Sequence, residues 1–111
     1  MLKDKLSYEF SRIFKDYLKK KYNIELDVFG EQPPDIKFGD ISFSFPLKIS
    51  KELKEKPFEI AKNISEDLRE IFSPHKIVPS PPGYINIYFN KKFYIENFSK
   101  FKEIKERKDE K

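Results

Sequence analysis

A tight turn separates the last two strand-like segments of the chain, and this turn restricts the folds that the chain can adopt. A short apolar segment at Ile77 and Val78 is followed by the turn sequence SPPG and then by the alternating run YINIYF, residues 84–89. Strands joined by a short turn pair antiparallel, whereas neighbouring parallel strands need a crossover of about a dozen residues or more. A single sheet wound from parallel strands is therefore not expected.

The rest of the chain alternates between helical and extended patterns. Apolar residues recur every three or four positions from about residue 2 to 21, which predicts a helix. The run NIELDVF, residues 23–29, then alternates between apolar and acidic residues and predicts a strand. Two helices should begin near Pro46 and Pro57, because proline suits the first turn of a helix. A last helix should follow Asn90, which can cap it.

Each predicted helix has one apolar side that should face the core. The residues on these sides are, helix by helix, Leu2, Leu6, Phe10, Ile13, Phe14, Tyr17 and Leu18; Leu47, Ile49 and Leu53; Phe58, Ala61, Ile64, Leu68 and Ile71; and Tyr94, Phe98 and Phe101. The complete order of elements is α-β-α-α-β-β-α. This order predicts a two-layer α+β domain, with helices on one face of a small, mostly antiparallel sheet. At 111 residues there is room for one domain, which we place at residues 1–104, with a charged tail at 105–111.

Composition excludes several classes of function. The chain has no cysteine, so disulfides and thiolate metal sites are excluded. Its one histidine, His75, also excludes most histidine-based metal clusters and catalytic triads. Three glycines are too few for a glycine-rich phosphate loop. Asp35 and Asp40 flank one loop and could suggest a metal site, but two acids on a loop rich in proline and glycine are common. Asp40 should instead cap the turn into the second helix. We therefore expect no metal, no cofactor and no enzymatic activity, and interpret His75 as an exposed or packing residue.

No segment is suited to a membrane. The chain lacks a run of about 18 apolar residues, and its first residues, MLKDKLSYEF, lack the apolar stretch of a signal peptide. We therefore expect a cytoplasmic protein. Lysine greatly outnumbers arginine and glutamate is abundant, a composition typical of hyperthermophile proteins.

The run YINIYF divides its side chains between the two faces of a strand. One set should point to the helices, namely Ile85, Ile87 and Phe89. The other set should lie on the uncovered face, namely Tyr84, Asn86 and Tyr88. Two aromatic rings with an amide between them can stack an unpaired base and hydrogen-bond its edge, as in the recognition of single-stranded RNA. Tyrosines are also ordinary residues on a wet sheet face, so the pattern alone leaves both interpretations open.

The distribution of charge favours nucleic-acid binding. The formal net charge is +4, and residues 74–92 contain three lysines and no acidic residue, whereas residues 23–45 contain one lysine and five acidic residues. The lysines of the basic segment, Lys76, Lys91 and Lys92, could hold phosphates beside the aromatic row. A second lysine cluster at residues 19–21 is better explained by favourable interaction with the helix dipole.

Two segments, taken together, resemble the N-terminal additional domain of arginyl-tRNA synthetases. That family has a Phe-Gly-Asp turn, a helix, a second helix containing Glu-Ile-Ala, and a strand that reads Pro-Gly-aromatic-Ile-Asn. The matching residues here are Phe38, Gly39 and Asp40; Pro57, Glu59, Ile60 and Ala61; and Pro82, Gly83, Tyr84, Ile85 and Asn86. The resemblance covers roughly residues 2–102, and Pro46 is similar to the archaeal form.

The resemblance implies a tRNA-binding domain without catalytic residues. In that family the domain lies against the elbow of the tRNA and takes an unpaired D-loop base against an aromatic ring and an amide. Those positions correspond to Tyr84 and Asn86, and no specificity for DNA is expected. Neither ATP-site signature of class I synthetases is present. The chain is thus either a stand-alone relative or a fragment of the enzyme, and its start and charged tail favour the stand-alone relative.

A protein-interaction module is the alternative. The domain could retain its fold and dock on a partner protein through the open sheet face or the first helix, because exposed aromatic rows also bind proteins. RNA binding by lysines should weaken steeply with added salt, whereas binding through an aromatic protein interface should not.

Overall fold

The computed structural model describes residues 2–90, apart from the side chains of residues 2–4 and 36. In this part of the chain three helices and three strands follow one another: α1 Leu2–Tyr22, β1 Ile41–Phe43, α2 Phe45–Leu53, α3 Pro57–Phe72, β2 Lys76–Ser80 and β3 Tyr84–Tyr88. A short 3₁₀ turn, Ile36–Phe38, precedes β1. The predicted last helix, the boundary at residue 104 and the tail at 105–111 lie outside the described residues. None of the described helices is long and apolar enough to cross a membrane.

The strands form one antiparallel sheet in the order β1-β3-β2. In the central strand, Ile87 lies opposite Ile41 on one side and Ile77 on the other. Ile85 and Ile87 are fully buried, as the alternation of the sequence predicts. The α+β class and the antiparallel hairpin are therefore confirmed.

The core between the sheet and the helices is built largely from phenylalanine rings. Phe14 of α1 lies edge-on to Phe43 of β1, with ring centroids 4.8 Å apart. Phe10 of α1 stacks on Phe72 of α3, also at 4.8 Å. Offset and edge-to-face contacts of this kind add to the stability that ring burial supplies. Among the predicted core residues, the structure buries Leu6, Phe10, Phe14, Leu18, Ile49, Ala61, Ile64 and Leu68.

Two residues predicted to face the core lie at the surface. Leu47 is exposed at the edge of α2, and Ile71 of α3 is 60% exposed. The buried stripe of α3 instead recurs every fourth residue and continues into Phe72. Because one residue turns an α-helix by about 100°, Ile71 points away from the layer that Phe72 enters.

The strand predicted at residues 23–29 is not present, although the predicted alternation of burial is. Ile24 and Val28 are buried, and the acidic residues between them pair with lysines of α1. Among the described residues near this segment, the β-pairing is limited to one isolated bridge between Glu31 and Ser42. An alternating pattern indicates that every second side chain is buried, but it does not require a strand. Here the apolar side chains of the segment are buried beside α1, and the segment does not join the sheet.

Strand β1 was not predicted, because three residues are too few to show a period. It begins after Gly39, whose backbone has φ +98°, a conformation that favours glycine. A Cβ at Gly39 would lie 2.8 Å from the carbonyl oxygen of Ile87. The glycine thus lets the backbone approach β3 closely enough for β1 to pair with it.

The turn before β3 packs directly on the helical layer. A Cβ at Gly83 would lie 2.4 Å from Cβ of Pro57 and 3.0 Å from Cδ2 of Leu47. Any larger residue would push the hairpin away from the connection between α2 and α3. Gly83 therefore fixes where β3 begins, and with it the position of Tyr84.

Candidate nucleic-acid interface

The register of the sheet determines which side chains lie on the face opposite the helices. Directly paired residues of neighbouring strands point to the same side of a sheet. Asn86 is paired with Ser42 on one side and Val78 on the other. We call the resulting surface the site face; its residues are Ser42, Lys76, Val78, Ser80, Tyr84, Asn86 and Tyr88.

Part of the site face is covered by the loop of residues 31–38, although the sequence predicted an uncovered face. Main-chain hydrogen bonds of 2.8 Å in both directions between Glu31 and Ser42 hold this loop to β1. Loop and sheet together line a cavity of about 270 Å³ that is open to solvent on one side. It is lined by Glu31, Gln32, Pro33, Pro34, Phe38, Ser42, Ser80, Pro81, Tyr84 and Asn86. The site is therefore concave, with an apolar wall of prolines facing a polar strand.

Tyr84 lies in the wall of this cavity with 37% of its surface exposed. It is paired with Ser80 across the hairpin. Its predicted exposure is confirmed, and its ring is accessible to a ligand that enters from solvent.

Asn86 lines the same cavity but is only 4% exposed, so its predicted exposure is wrong. It occupies the central strand, between β1 and β2 and beneath the loop, which leaves little of it open to solvent. Its Oδ1 accepts a hydrogen bond of 2.8 Å from the Ser42 hydroxyl. Among the described residues, the amide nitrogen of Asn86 has no hydrogen-bond partner.

Tyr88 is half-buried, and its predicted exposure is also wrong. Its hydroxyl donates a hydrogen bond of 2.6 Å to the main-chain carbonyl oxygen of Lys37. The ring therefore supports the 3₁₀ turn at the edge of the site face and does not extend freely into solvent.

The charges of the described site are mixed. Lys76 is exposed and is paired with Tyr88 at one end of the site face, while Lys91 and Lys92 lie outside the described residues. Glu31 is on the loop side of the cavity, and Asp35 on the same loop contacts the Lys37 ammonium group at 3.9 Å. Positive charge in the described part of the site thus comes from Lys37, which is beside Asp35 on the loop, and from Lys76 on β2, the outer strand opposite the one to which Glu31 is bonded.

Two residues considered for chemistry have structural contacts instead. Asp40 accepts a hydrogen bond of 2.8 Å from the main-chain N–H of Phe89, so it holds the end of β3 and does not cap α2 as predicted. His75 is buried against the rings of Phe10 and Phe89, and its Nδ1 accepts from the N–H of Asn90 at 3.0 Å. Burial lowers the pKa of His75, and the nearby Asp40 carboxylate opposes this shift. His75 is therefore a packing residue.

Lysines at the end of α1 are engaged in ion pairs. Lys19 contacts Glu25 at 2.6 Å, and Lys21 contacts Asp67 of α3 at 2.6 Å. The hydrogen bond to Asp67 raises the pKa of Lys21. These contacts hold α1 to its neighbours, so Lys19 and Lys21 are already paired with carboxylates. Within residues 2–90 no group of three acidic or histidine residues is arranged to hold a metal ion.

The fold and the cavity together define a class: a small α+β domain that carries a concave, partly aromatic pocket on the sheet face opposite its helices. The chain belongs to the family described as "Arginyl tRNA synthetase N terminal domain", whose sequence profile matches residues 2–89. This confirms the resemblance noted in the sequence.

Relatives and a solved structure agree with this assignment. The chain is 35% identical over 95 residues to an arginine–tRNA ligase of Thermotoga petrophila, covering 86% of this chain and 17% of the ligase. It is 34% identical over 93 residues to the ligase of Methanococcus maripaludis, covering 83% and 16%. The Thermus thermophilus arginyl-tRNA synthetase structure has the same fold, with a TM-score of 0.67 and 21% identity over 83% of this chain and 15% of that one. The similarity is to the N-terminal domain and does not reach the catalytic domain.

The cavity itself was missed by the sequence prediction. Its loop wall comes from residues 31–38, which were interpreted as a simple connection, and Ser42 and Ser80 were not singled out. Two adjacent prolines between two glycines were the available signal of a rigid loop. No pattern in the sequence indicated on which side of the sheet this loop would lie.

Proposed function

We propose that the chain is a non-catalytic tRNA-binding domain whose cavity takes one unpaired base of the D-loop, at the elbow of the tRNA. The observation that carries this proposal is that Tyr84 and Asn86 line one cavity, with the Tyr84 ring open to solvent. These two residues occupy the aromatic and amide positions of the family's strand motif.

The dimensions and chemistry of the cavity suit a single base. Its volume of about 270 Å³ is just below the range of about 300–1,000 Å³ found for sites of drug-sized ligands. A base stacked on Tyr84 would face the apolar side of the loop formed by Pro33 and Pro34, while the Asn86 amide could hydrogen-bond its edge. Stacking of this kind contributes roughly 1–3 kcal/mol per base.

Charge suggests how the nucleic-acid backbone lies. Phosphates would be repelled by Glu31 and Asp35 on the loop beside β1 and attracted to Lys76 on β2, the opposite outer strand. Lys91 and Lys92 come shortly after β3 in the sequence, and we propose that they hold further phosphates. Tyr88 would then support the turn beside the bound nucleotide and would not stack on it.

The proposal assigns no catalytic step to this chain. The ligases that it resembles are named for joining arginine to tRNA, and the chain covers 17% and 16% of the two compared above. Purified protein should support no arginine-dependent pyrophosphate exchange. Exchange above a control without protein would contradict this part of the proposal.

Binding of tRNA by three proteins tests the function: wild type, Tyr84→Ala and Tyr84→Phe. Wild type should bind tRNA more tightly than a DNA duplex of similar charge, and affinity should fall steeply with added salt. Tyr84→Ala should weaken binding by roughly 1–3 kcal/mol, whereas Tyr84→Phe keeps the ring and should bind like wild type. Equal binding of tRNA and DNA, or an unchanged Tyr84→Ala protein, would disprove base capture and favour a protein partner.

A further inference from the structure

We infer that Ser42 fixes the orientation of the Asn86 amide, so that the cavity selects a base presenting a hydrogen-bond acceptor to Asn86. This inference rests on the proposed function, because it concerns which base the same cavity takes. Ser42 acts through Asn86 and is a positioning residue.

The two side chains are held together by the sheet. Ser42 and Asn86 are direct partners in the β1–β3 register, and their side chains point to the same face. The Ser42 hydroxyl donates to Oδ1 of Asn86 at 2.8 Å, and Asn86 is buried between two strands and the loop. Main-chain bonds of 2.8 Å from Ser42 to Glu31 hold this part of β1 in place. A half-buried serine on a doubly paired strand is a rigid anchor for the amide.

The anchor determines what Asn86 offers to a ligand. An asparagine amide carries one acceptor oxygen and two N–H donors, on opposite sides of the same planar group. With the oxygen turned to Ser42, the nitrogen faces away from β1, and no described residue accepts from it. Asn86 also lines the cavity. The cavity therefore offers a donor from Asn86, which pairs with a carbonyl oxygen or an unprotonated ring nitrogen of the base.

A base that presents a donor at this place would leave two donors facing each other. A buried polar group without a partner is strongly disfavoured, and sites built to hydrogen-bond a ligand reject analogues that lack the matching group. We expect discrimination on the order of 10-fold between the matched and mismatched base. In Ser42→Ala the amide can turn about its last side-chain bond and present either end, so the discrimination should fall several-fold.

Comparison of bases at one position tests the role of Ser42. The probes are tRNA transcripts that differ only in the unpaired D-loop base, with uracil compared against cytosine and guanine against adenine. Members of each pair share a ring system and differ in donors and acceptors, so a ratio within a pair measures hydrogen bonding more than stacking. Ser42→Ala should bring the wild-type ratios close to one, and Ser42→Thr, which keeps the hydroxyl, should retain them. Ser11→Ala is the matched control, because it removes the same hydroxyl from α1, outside the site face, and should leave the ratios as in wild type.

Atom-deleted bases test the direction of the hydrogen bond without any mutation. Removing the contacted acceptor from the preferred base should weaken wild-type binding on the order of 10-fold. The same deletion should leave the affinity of Asn86→Ala unchanged. Removing a donor amino group should not weaken wild type selectively in this way. Weaker wild-type binding only when the donor is deleted, or Ser42→Ala ratios equal to those of wild type, would overturn the inference. The proposed function would still stand if binding depended on Tyr84. If wild type does not bind tRNA, both fail.

Discussion

The hydroxyl of Tyr88 lies 2.6 Å from the carbonyl oxygen of Lys37 and donates a hydrogen bond to it. The last residue of the central strand thereby holds the 3₁₀ turn that leads into β1. On the other side of the turn, the N–H of Asp40 donates to the carbonyl oxygen of Ile87 at 2.8 Å. The loop that forms the cavity wall is thus tied to β3 at its C-terminal end as well as to β1 at Glu31.

We expect Tyr88→Phe to lower the free energy of unfolding by about 0.5–1.5 kcal/mol, the usual contribution of one hydrogen bond. Denaturant unfolding measures it. Tyr8→Phe is the control, because Tyr8 is 73% exposed on α1 and a change there should remain within about 0.5 kcal/mol. Equal effects of the two substitutions would show that the bond to Lys37 adds no stability.

A substitution at the left-handed residue that ends α2 should raise the stability of the domain. Lys54 has φ +56°, and its N–H bonds the carbonyl oxygen of Ser50. A side chain in this conformation costs roughly 1–2 kcal/mol, so Lys54→Gly should raise the free energy of unfolding by about 1 kcal/mol. Lys51→Gly, within the helix, should lower it by about 0.8–1 kcal/mol. In thermal unfolding, Lys54→Gly should have a higher midpoint temperature than wild type and Lys51→Gly a lower one. A Lys54→Gly protein that is no more stable than wild type would contradict the prediction.

His75 should make stability depend on pH. Burial lowers its pKa below the ordinary value of 6.5, so the unfolded chain takes up a proton more readily than the folded one. The contribution to the free energy of unfolding is then fully present above about pH 6.5 and is lost as the pH falls below that value. Chemical unfolding between pH 7.5 and 5.5 should show this loss in wild type.

The matched variant for this effect is His75→Gln, which has no titrating group at the position. Its free energy of unfolding should be lower at pH 7.5, since it loses the ring contacts with Phe10 and Phe89, but it should change less over the same pH range. Parallel pH profiles for the two proteins would assign the dependence to other groups.

Lys76 should contribute to the salt dependence of tRNA binding. If its ammonium group contacts one phosphate, Lys76→Ala should reduce the slope of log affinity against log salt by about 0.7–0.9 and weaken different tRNAs alike. Lys62→Ala removes the same charge from an exposed position of α3, away from the site face, and should leave the slope unchanged. A slope that Lys76→Ala does not alter would exclude a phosphate contact there.

Local sequence patterns predicted the parts of this fold that depend on a regular period. The helices around Phe10 and Ile64, and the buried side of β3 at Ile85 and Ile87, follow directly from spacings of three, four or two residues. The false strand near Ile24 shows the limit of this reasoning. Its alternation arises from burial against α1, and no local feature distinguishes that from burial within a sheet.

Of the six residues that the sequence predicted for the site, Tyr84 and Asn86 line the cavity, and the shape of the cavity was not predicted. Tyr84 and Asn86 were found because an aromatic ring and an amide occupy the positions that alternate with the apolar residues Ile85 and Ile87. The burial of Asn86 depends on β1, which is too short to show a period, and on a loop folding back over the sheet. Strand β1 pairs with residues of β3 more than 40 positions away, and the loop contacts β3 through the Tyr88–Lys37 bond, which joins residues 51 positions apart.

The strand order β1-β3-β2 also determines when the sheet can form during synthesis. The central strand is the last of the three to leave the ribosome, and until it does neither outer strand has its partner in the sheet. Helices α1 to α3 have been synthesised by then, but the sheet against which their apolar sides pack is still incomplete. The sheet, and with it the cavity on its site face, should therefore be completed late, when residues 84–88 arrive.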